Sequence, residues 1–181
     1  MESKIKIIQG DITTLKVDAI VNAANPSLMG GGGVDHAIHK VAGPELKDAC
    51  RPLRGCHTGD AKITSGFNLP AKFVIHTVGP VWNNGTQAED KLLASAYRRS
   101  LEVALENDIE TIAFPSISTG AYRFPFEEGT RIGFNETMRF LKEHTQIREV
   151  IFVAFGPKDF ARMTKIYNNE YQNKTIQRTT N

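Results

Sequence analysis

Four consecutive glycines, Gly30 to Gly33, stand before a stretch of helical periodicity that carries an acid, Asp35, in its first turn. Glycine tolerates positive φ and lets backbone amides come close to a ligand. The start of a helix adds unpaired N–H groups and a positive dipole end, so the segment is suited to cradle a phosphate. It is not a P-loop, because no Gly-Lys-Ser/Thr follows, and it lacks the glycine spacing of a dinucleotide fingerprint. The competing reading is a flexible hinge, although a hinge has no need to open directly into a helix. Asp35 reads either as an acid that complements the helix dipole or as a base or orienting group beside bound phosphates. Its structural duty is expected to be only that of a first-turn cap.

Asn22 and Asn25 lie at the end of a short apolar strand, in Val21-Asn22-Ala23-Ala24-Asn25-Pro26. Asn before Pro is ordinary turn chemistry. An Asn amide can also hold a sugar hydroxyl as donor and acceptor at once. Strand C-terminal ends are where open α/β sheets bind ligands. A second small-residue loop, Pro115-Ser116-Ile117-Ser118-Thr119-Gly120-Ala121-Tyr122, offers hydroxyls, amides and an aromatic ring for a phosphate and a ribose, or is a plain connection. Phe155, before Gly156-Pro157, ends the last strand. A place in the core is the commoner fate of such a residue, and stacking on a base is the alternative. Asp11 either closes a turn after Gly10 or accepts from an adenine amino group. His39, His57, His76 and His144 have no metal-ligand spacing, and no Cys–His or Ser–His catalytic pair is visible. His39 and His76 are expected to pack or to be solvated.

These segments need a scaffold, and the hydrophobic pattern supplies one. Strand-like segments are read at residues 4–8, 19–22, 61–64, 73–77, 111–114 and 149–155. Helical periodicity falls at 34–41, from Pro44 through Ala49, at 89–107, after Pro125, and at 160–167. Such alternation is the signature of an α/β layered fold. No repeat or linker interrupts it, so a single domain is expected over 1–170, followed by a polar, frayed tail over 171–181.

The bulk numbers exclude several classes. With 22 Lys plus Arg against 20 Asp plus Glu, the net charge of +2 gives no ground for a nucleic-acid or membrane partner. An anionic ligand must therefore be held by a local site and not by a charged face. Cys50 and Cys56 are expected to be free thiols. The N-terminal segment alternates charge with Ile, and no apolar stretch reaches the length of a signal-peptide core or a membrane span, so the expected location is the cytoplasm.

Taken in order, Gly10-Asp11-Ile12-Thr13, Val21-Asn22-Ala23-Ala24-Asn25, Gly30-Gly31-Gly32-Gly33-Val34-Asp35 and Ser118-Thr119-Gly120 resemble the macrodomains, specifically the MacroD type. That type comprises bacterial ADP-ribosyl hydrolases, also described as O-acetyl-ADP-ribose deacetylases. Leu69 to Pro80 adds to the likeness, which runs from about Ile5 to Tyr167. Each tetrapeptide alone is weak, but the ordered set is specific.

The resemblance implies a three-layer α/β/α sandwich around a central mixed sheet, with a cleft for ADP-ribose at strand ends. Asp11 and the Ile12 amide would read the adenine, with Phe155 flanking it. Amides of Gly32, Gly33 and Val34, with those of Ser118, Thr119, Gly120, Ala121 and Tyr122, would hold the diphosphate. Asn22 is counted with the substrate-binding residues, Asn25 would bind the distal ribose, and Tyr122 would cover it. Asp35 would orient or activate the attacking water, or a ligand phosphate would take the proton instead. No metal or other cofactor is implied. The expected substrates are proteins carrying mono-ADP-ribose on acidic side chains, and O-acetyl-ADP-ribose. The chain departs from the pattern at Arg123 and His36, where the family usually or often has Gly. Arg123 is expected to put a long cationic side chain on the loop over the diphosphate, adding a phosphate contact or crowding the distal ribose, and His36 to sit in solvent. A module that binds ADP-ribose without turnover is the alternative.

Overall fold

Apolar side chains sort into two sets according to the sheet face they cover. In the computed structural model, which describes residues 4–172, one six-stranded sheet divides them. Its strands are β1 (Ile5–Gln9), β2 (Ala19–Ala23), β3 (Ala61–Ser65), β4 (Phe73–Thr77), β5 (Thr111–Phe114) and β6 (Glu149–Ala154), in the order β1-β6-β5-β2-β4-β3. Every neighbouring pair is parallel except β3 with β4. The sheet is therefore mixed, as expected.

Helices α1 (Gly33–Ala42) and α2 (Pro44–Cys50) cover one face, and α3 (Glu89–Glu106), α4 (Phe126–Glu143) and α5 (Pro157–Ile166) the other. In β2, Ile20 packs with Ile38, Leu46 and Cys50, whereas Val21 packs with Leu93, Tyr97 and Phe134. β6 divides in the same way, Ile151 and Val153 against Val150 and Phe152. Burial on both faces turns a parallel strand into a continuous apolar run, which is why these segments do not alternate in polarity.

Most element boundaries fall within a residue or two of the expected ones. The exception is α5, which starts at Pro157 and not at Phe160. Gly156 provides an extended N-cap and Pro157 takes the first helical position, where its missing N–H costs nothing. A wide helical turn, Tyr167–Gln172, follows α5. There Tyr171 is buried, its hydroxyl donating to Asn135 Oδ1 at 2.8 Å and its ring 5.2 Å from that of Phe134. The first residue of the expected tail thus belongs to the core, and 173–181 lie outside the described residues. Both cysteines are free and buried, and burial first, with a nearby carboxylate second, pushes each thiol up to about 11. Neither is poised as a nucleophile. Among the described residues no helix is long and apolar enough to cross a membrane.

Candidate functional site

The carboxyl ends of the parallel strands converge on one cleft of about 720 Å³, a volume in the range of nucleotide-sized ligand sites. Residues after β1, β2, β4, β5 and β6 line it, and none comes from the antiparallel strand β3. This is the ligand position expected of an open α/β sheet.

At one end, β1 and β6 run in register with Gln9 opposite Ala154, so Asp11 and Phe155 emerge side by side. Asp11 Oδ1 accepts from the Thr13 amide at 2.9 Å and the Thr13 hydroxyl at 2.7 Å, fixing a short turn and leaving Oδ2 without a partner among the described residues. Phe155 lies beyond the strand and is 84% exposed, so it is not the core residue that its position most often implies. An aromatic ring left in water at a cleft mouth is suited to stack on a base. Asp159, in the first turn of α5, also lines this end and was missed by the sequence reading. The Gly156-Pro157 helix start is the signal from which it could have been found. Phe155→Ala is expected to leave the thermal midpoint in place, since no core contact is lost. Where the ring stacks on a base, its loss should weaken binding of a nucleotide ligand by about 1–3 kcal/mol in calorimetry.

The middle of the cleft is walled by backbone. Gly30 and Gly33 adopt φ of 97° and 58°, and Gly32 caps α1 with no side-chain hydrogen bond. The amides of Gly33, Val34 and Asp35 are thus the unpaired first-turn donors of a helix. Across from them, Phe124 N donates to Ser118 O and Arg123 N to Gly120 O, each at 2.9 Å, which folds the second loop back on itself. The amides of residues 118–122 have no partner among the described residues. Trp82 braces this loop, its amide donating to Tyr122 O at 2.8 Å and its ring meeting Phe124 edge-on at 4.9 Å. Tyr122 is half-buried in the cleft wall. Gly79 also lines the cleft, although its sequence context marked only the end of a strand.

Asn25 and Asp35 meet at the other end. Asn25 Nδ2 donates to Gly30 O at 2.9 Å, and its Oδ1 accepts from the Ser27 hydroxyl at 2.6 Å. Around Gly31, the site where a Cβ would stand lies 3.0 Å from Asp35 Oδ2 and 3.1 Å from Asn25 Nδ2, so both side chains flank the same point. Asp35 does not act as a solvent-facing cap. It is buried, and its Oδ1 accepts from Asn22 Nδ2 at 2.8 Å. His39 Nε2 stands 3.3 Å from the same oxygen but is not aligned for a hydrogen bond.

Asn22 is a correction to the expected ligand contacts. It is fully buried behind Asp35, between that carboxylate and His76, and is not part of the cleft lining. Arg123 directly follows Tyr122, the last residue of the second loop to line the cleft. It is exposed and outside the cleft lining, and its φ of 61° is the left-handed conformation that glycine adopts without strain. His36 is exposed, as expected. Among the described residues no group of three or more His, Cys, Asp or Glu could hold a metal ion.

A mixed α/β/α sandwich whose strand ends present two facing sets of free amides, an aromatic at one end and an Asn–Asp pair at the other defines a nucleotide-type binding fold. The chain belongs to the macro domain family, whose model matches residues 21–133. It is 57% identical over 155 residues to a macro domain-containing protein of Chlorobaculum tepidum, covering 86% of this chain and 90% of that one. It is 49% identical over 172 residues to the O-acetyl-ADP-ribose deacetylase of Escherichia fergusonii, covering 93% and 95% respectively. Among solved structures, the Trypanosoma brucei macrodomain in complex with ADP-ribose superposes with a TM-score of 0.84 at 42% identity, covering 90% of this chain and 68% of that one.

Proposed function

We propose that this protein binds ADP-ribose and hydrolyses the ester that joins its distal ribose to an acyl group, releasing mono-ADP-ribose from acidic side chains and acetate from O-acetyl-ADP-ribose. The observation that carries the reading is the flanking of one point by Asn25 Nδ2 and Asp35 Oδ2 at the end of an amide-lined cleft. ADP-ribose matches that cleft end to end. Adenine stacks on Phe155 and meets Asp11 and the Ile12 amide. The diphosphate lies between the amides of Gly32, Gly33 and Val34 and those of Ser118 to Tyr122, and the distal ribose rests at Asn25 under Tyr122. Asp35 orients a water, whose oxygen bonds to the acyl carbon as the bond to the ribose oxygen breaks. The water's protons pass to Asp35 or a ligand phosphate and to the departing ribose hydroxyl. The relative named as a deacetylase supports the reaction class. Arg123, whose crowding of the ribose would favour binding without turnover, lies outside the cleft.

The cleft lining contains Asp11, Asp35 and Asp159 and no Lys or Arg. Oriented dipoles, not cations, therefore offset the two phosphate charges. Affinity for ADP-ribose should accordingly change by less than about threefold between low and high salt, because few condensed counterions are exchanged. A steep decline in calorimetry would mean that cations outside the cleft hold the ligand.

The deciding assay follows free ADP-ribose released from a protein ADP-ribosylated on glutamate, and acetate released from O-acetyl-ADP-ribose. Release should persist with EDTA, because the carboxylate and the ligand phosphate are the only bases that the reaction requires. Tight binding of ADP-ribose without release from either substrate would establish a binding module instead. Loss of release with chelator, restored by added metal, would overturn the proposed chemistry.

A further inference from the structure

Behind Asp35 runs a buried polar chain that lies outside the cleft lining. β2 and β4 are parallel neighbours with Asn22 opposite His76. Both side chains lie on the sheet face covered by α1 and α2, and both are fully buried. Asn22 Nδ2 donates to Asp35 Oδ1 at 2.8 Å and stands 3.2 Å from His76 Nδ1. On the far side of the ring, Nε2 is 2.9 Å from Thr64 Oγ1 and 3.7 Å from Cys50 Sγ, and Thr64 Oγ1 stands 3.1 Å from Ser65 O.

These partners fix the protons. Asn22 Nδ2 can only donate, so His76 Nδ1 is the acceptor and the ring proton sits on Nε2, directed at Thr64 Oγ1. Nδ1 is then unprotonated and accepts the second N–H of Asn22. Burial, with His39 nearby, pushes the His76 pKa down to about 3, so the ring stays neutral at ordinary pH. The amide of Asn22 cannot be reversed, because its oxygen would then face the Asp35 carboxylate. In the orientation found, Asn22 Oδ1 is buried with no partner. An orphan acceptor in a core is costly, and an apolar side chain would fill this place without it. What the amide supplies in return is one donor aimed at one oxygen of Asp35.

We propose that Asn22, backed by His76 and Thr64, is the positioning residue for Asp35. It holds Oδ1 so that Oδ2 is turned toward Gly31 and Asn25, where the proposed hydrolysis would need it. This rests on the hydrolase reading for its consequence but not for its geometry. The chain Thr64–His76–Asn22–Asp35 acts on the rotamer of one carboxylate and leaves the amide cradle alone. Its loss therefore separates chemistry from binding.

The test compares Asn22→Leu with wild type by turnover of O-acetyl-ADP-ribose, calorimetric affinity for ADP-ribose, and crystal structures. Turnover should fall by about 10- to 100-fold, the usual effect of misplacing a reacting group by an ångström or so. Affinity should stay within about threefold, since the diphosphate amides are untouched. Asn22→Leu should cost nothing more in an Asp35→Ala background. His76→Gln, which keeps an acceptor for Asn22, should recover most of the rate lost in His76→Leu, and this pair decides the matter if Asn22→Leu does not fold. In the Asn22→Leu crystal structure the Asp35 carboxylate should leave the Gly31–Asn25 side. Unchanged turnover, an unmoved carboxylate, or an equal loss with and without Asp35 would each overturn the proposal. If wild type releases nothing from an ester, the hydrolase reading fails, and the position of Asp35 in the Asn22→Leu crystals still decides the positioning role.

Discussion

Asp35→Asn should cut the turnover of ester-linked ADP-ribose by roughly two to four orders of magnitude, the range that removal of a general base produces. Affinity for ADP-ribose should remain within about threefold, because the diphosphate is held by amides that the substitution leaves in place. The choice of Asn over Ala follows from burial. Asp35 Oδ1 is the acceptor for Asn22 Nδ2, and both groups are out of water. Truncation to Ala would orphan that donor at a cost of about 1–3 kcal/mol, more than a solvent-facing cap is usually worth. An Asn at 35 can turn its carbonyl to Asn22 and keep the bond. It then presents an amide nitrogen, not a carboxylate oxygen, to the water. Single-turnover release measured beside calorimetry separates the two effects. If Asp35→Asn stays nearly as fast as wild type, the ligand phosphate is the base and the carboxylate is only a structural acceptor. Asn25→Ala should resemble it in rate and lose more affinity, since Asn25 faces the cleft where the sugar is expected.

The sequence disclosed the cleft more fully than the machinery behind it, and the reason is physical. Gly30 to Gly33, the Ser118–Tyr122 loop and Phe155 lie at the ends of elements, where composition changes sharply from apolar to small or polar. Those changes survive in a one-dimensional string. Asn22 looked like one more strand-end polar group because its depth depends on what lies across the sheet. Only the β2–β4 register sets it against His76, and only the α1 start sets it against Asp35. A histidine without metal-ligand spacing gave no sign of this arrangement. Tyr171 was misplaced for a similar reason, since its run of polar neighbours conceals one ring that packs on Phe134. Phe155 went the other way. Its preceding strand is buried from Val150 to Ala154, yet one residue past the last ladder pair it is free of the core.

Gly79→Ala should weaken ADP-ribose binding by about 10- to 100-fold while costing about 1–3 kcal/mol of stability, as overpacking of a close-fitted site does. Gly79 follows β4, and its Cα faces the apex of the second loop. A Cβ there would stand 2.6 Å from Ile117 Cγ2 and closer still to Ser118 Oγ, and neither side chain is the far end of a flexible one. Ser118 is itself constrained, with a left-handed φ of 67° and a buried hydroxyl that has no partner. Strain of that kind persists where the surroundings fix it, and it recurs at ligand clamps. The added methyl must therefore displace the segment from Ile117 onward, and the amides of residues 118–122 move with it. Those amides are the wall facing the α1 start, so both halves of the proposed cradle can no longer meet one diphosphate. Calorimetry and thermal unfolding on Gly79→Ala measure the two losses separately. Adding Ser118→Gly should return part of both, since it removes the nearest clash and suits the left-handed backbone, while the Ile117 contact remains. Wild-type affinity in Gly79→Ala would mean that the loop after β5 does not hold the phosphates, and the cradle would then have to be built from the glycine-rich turn alone.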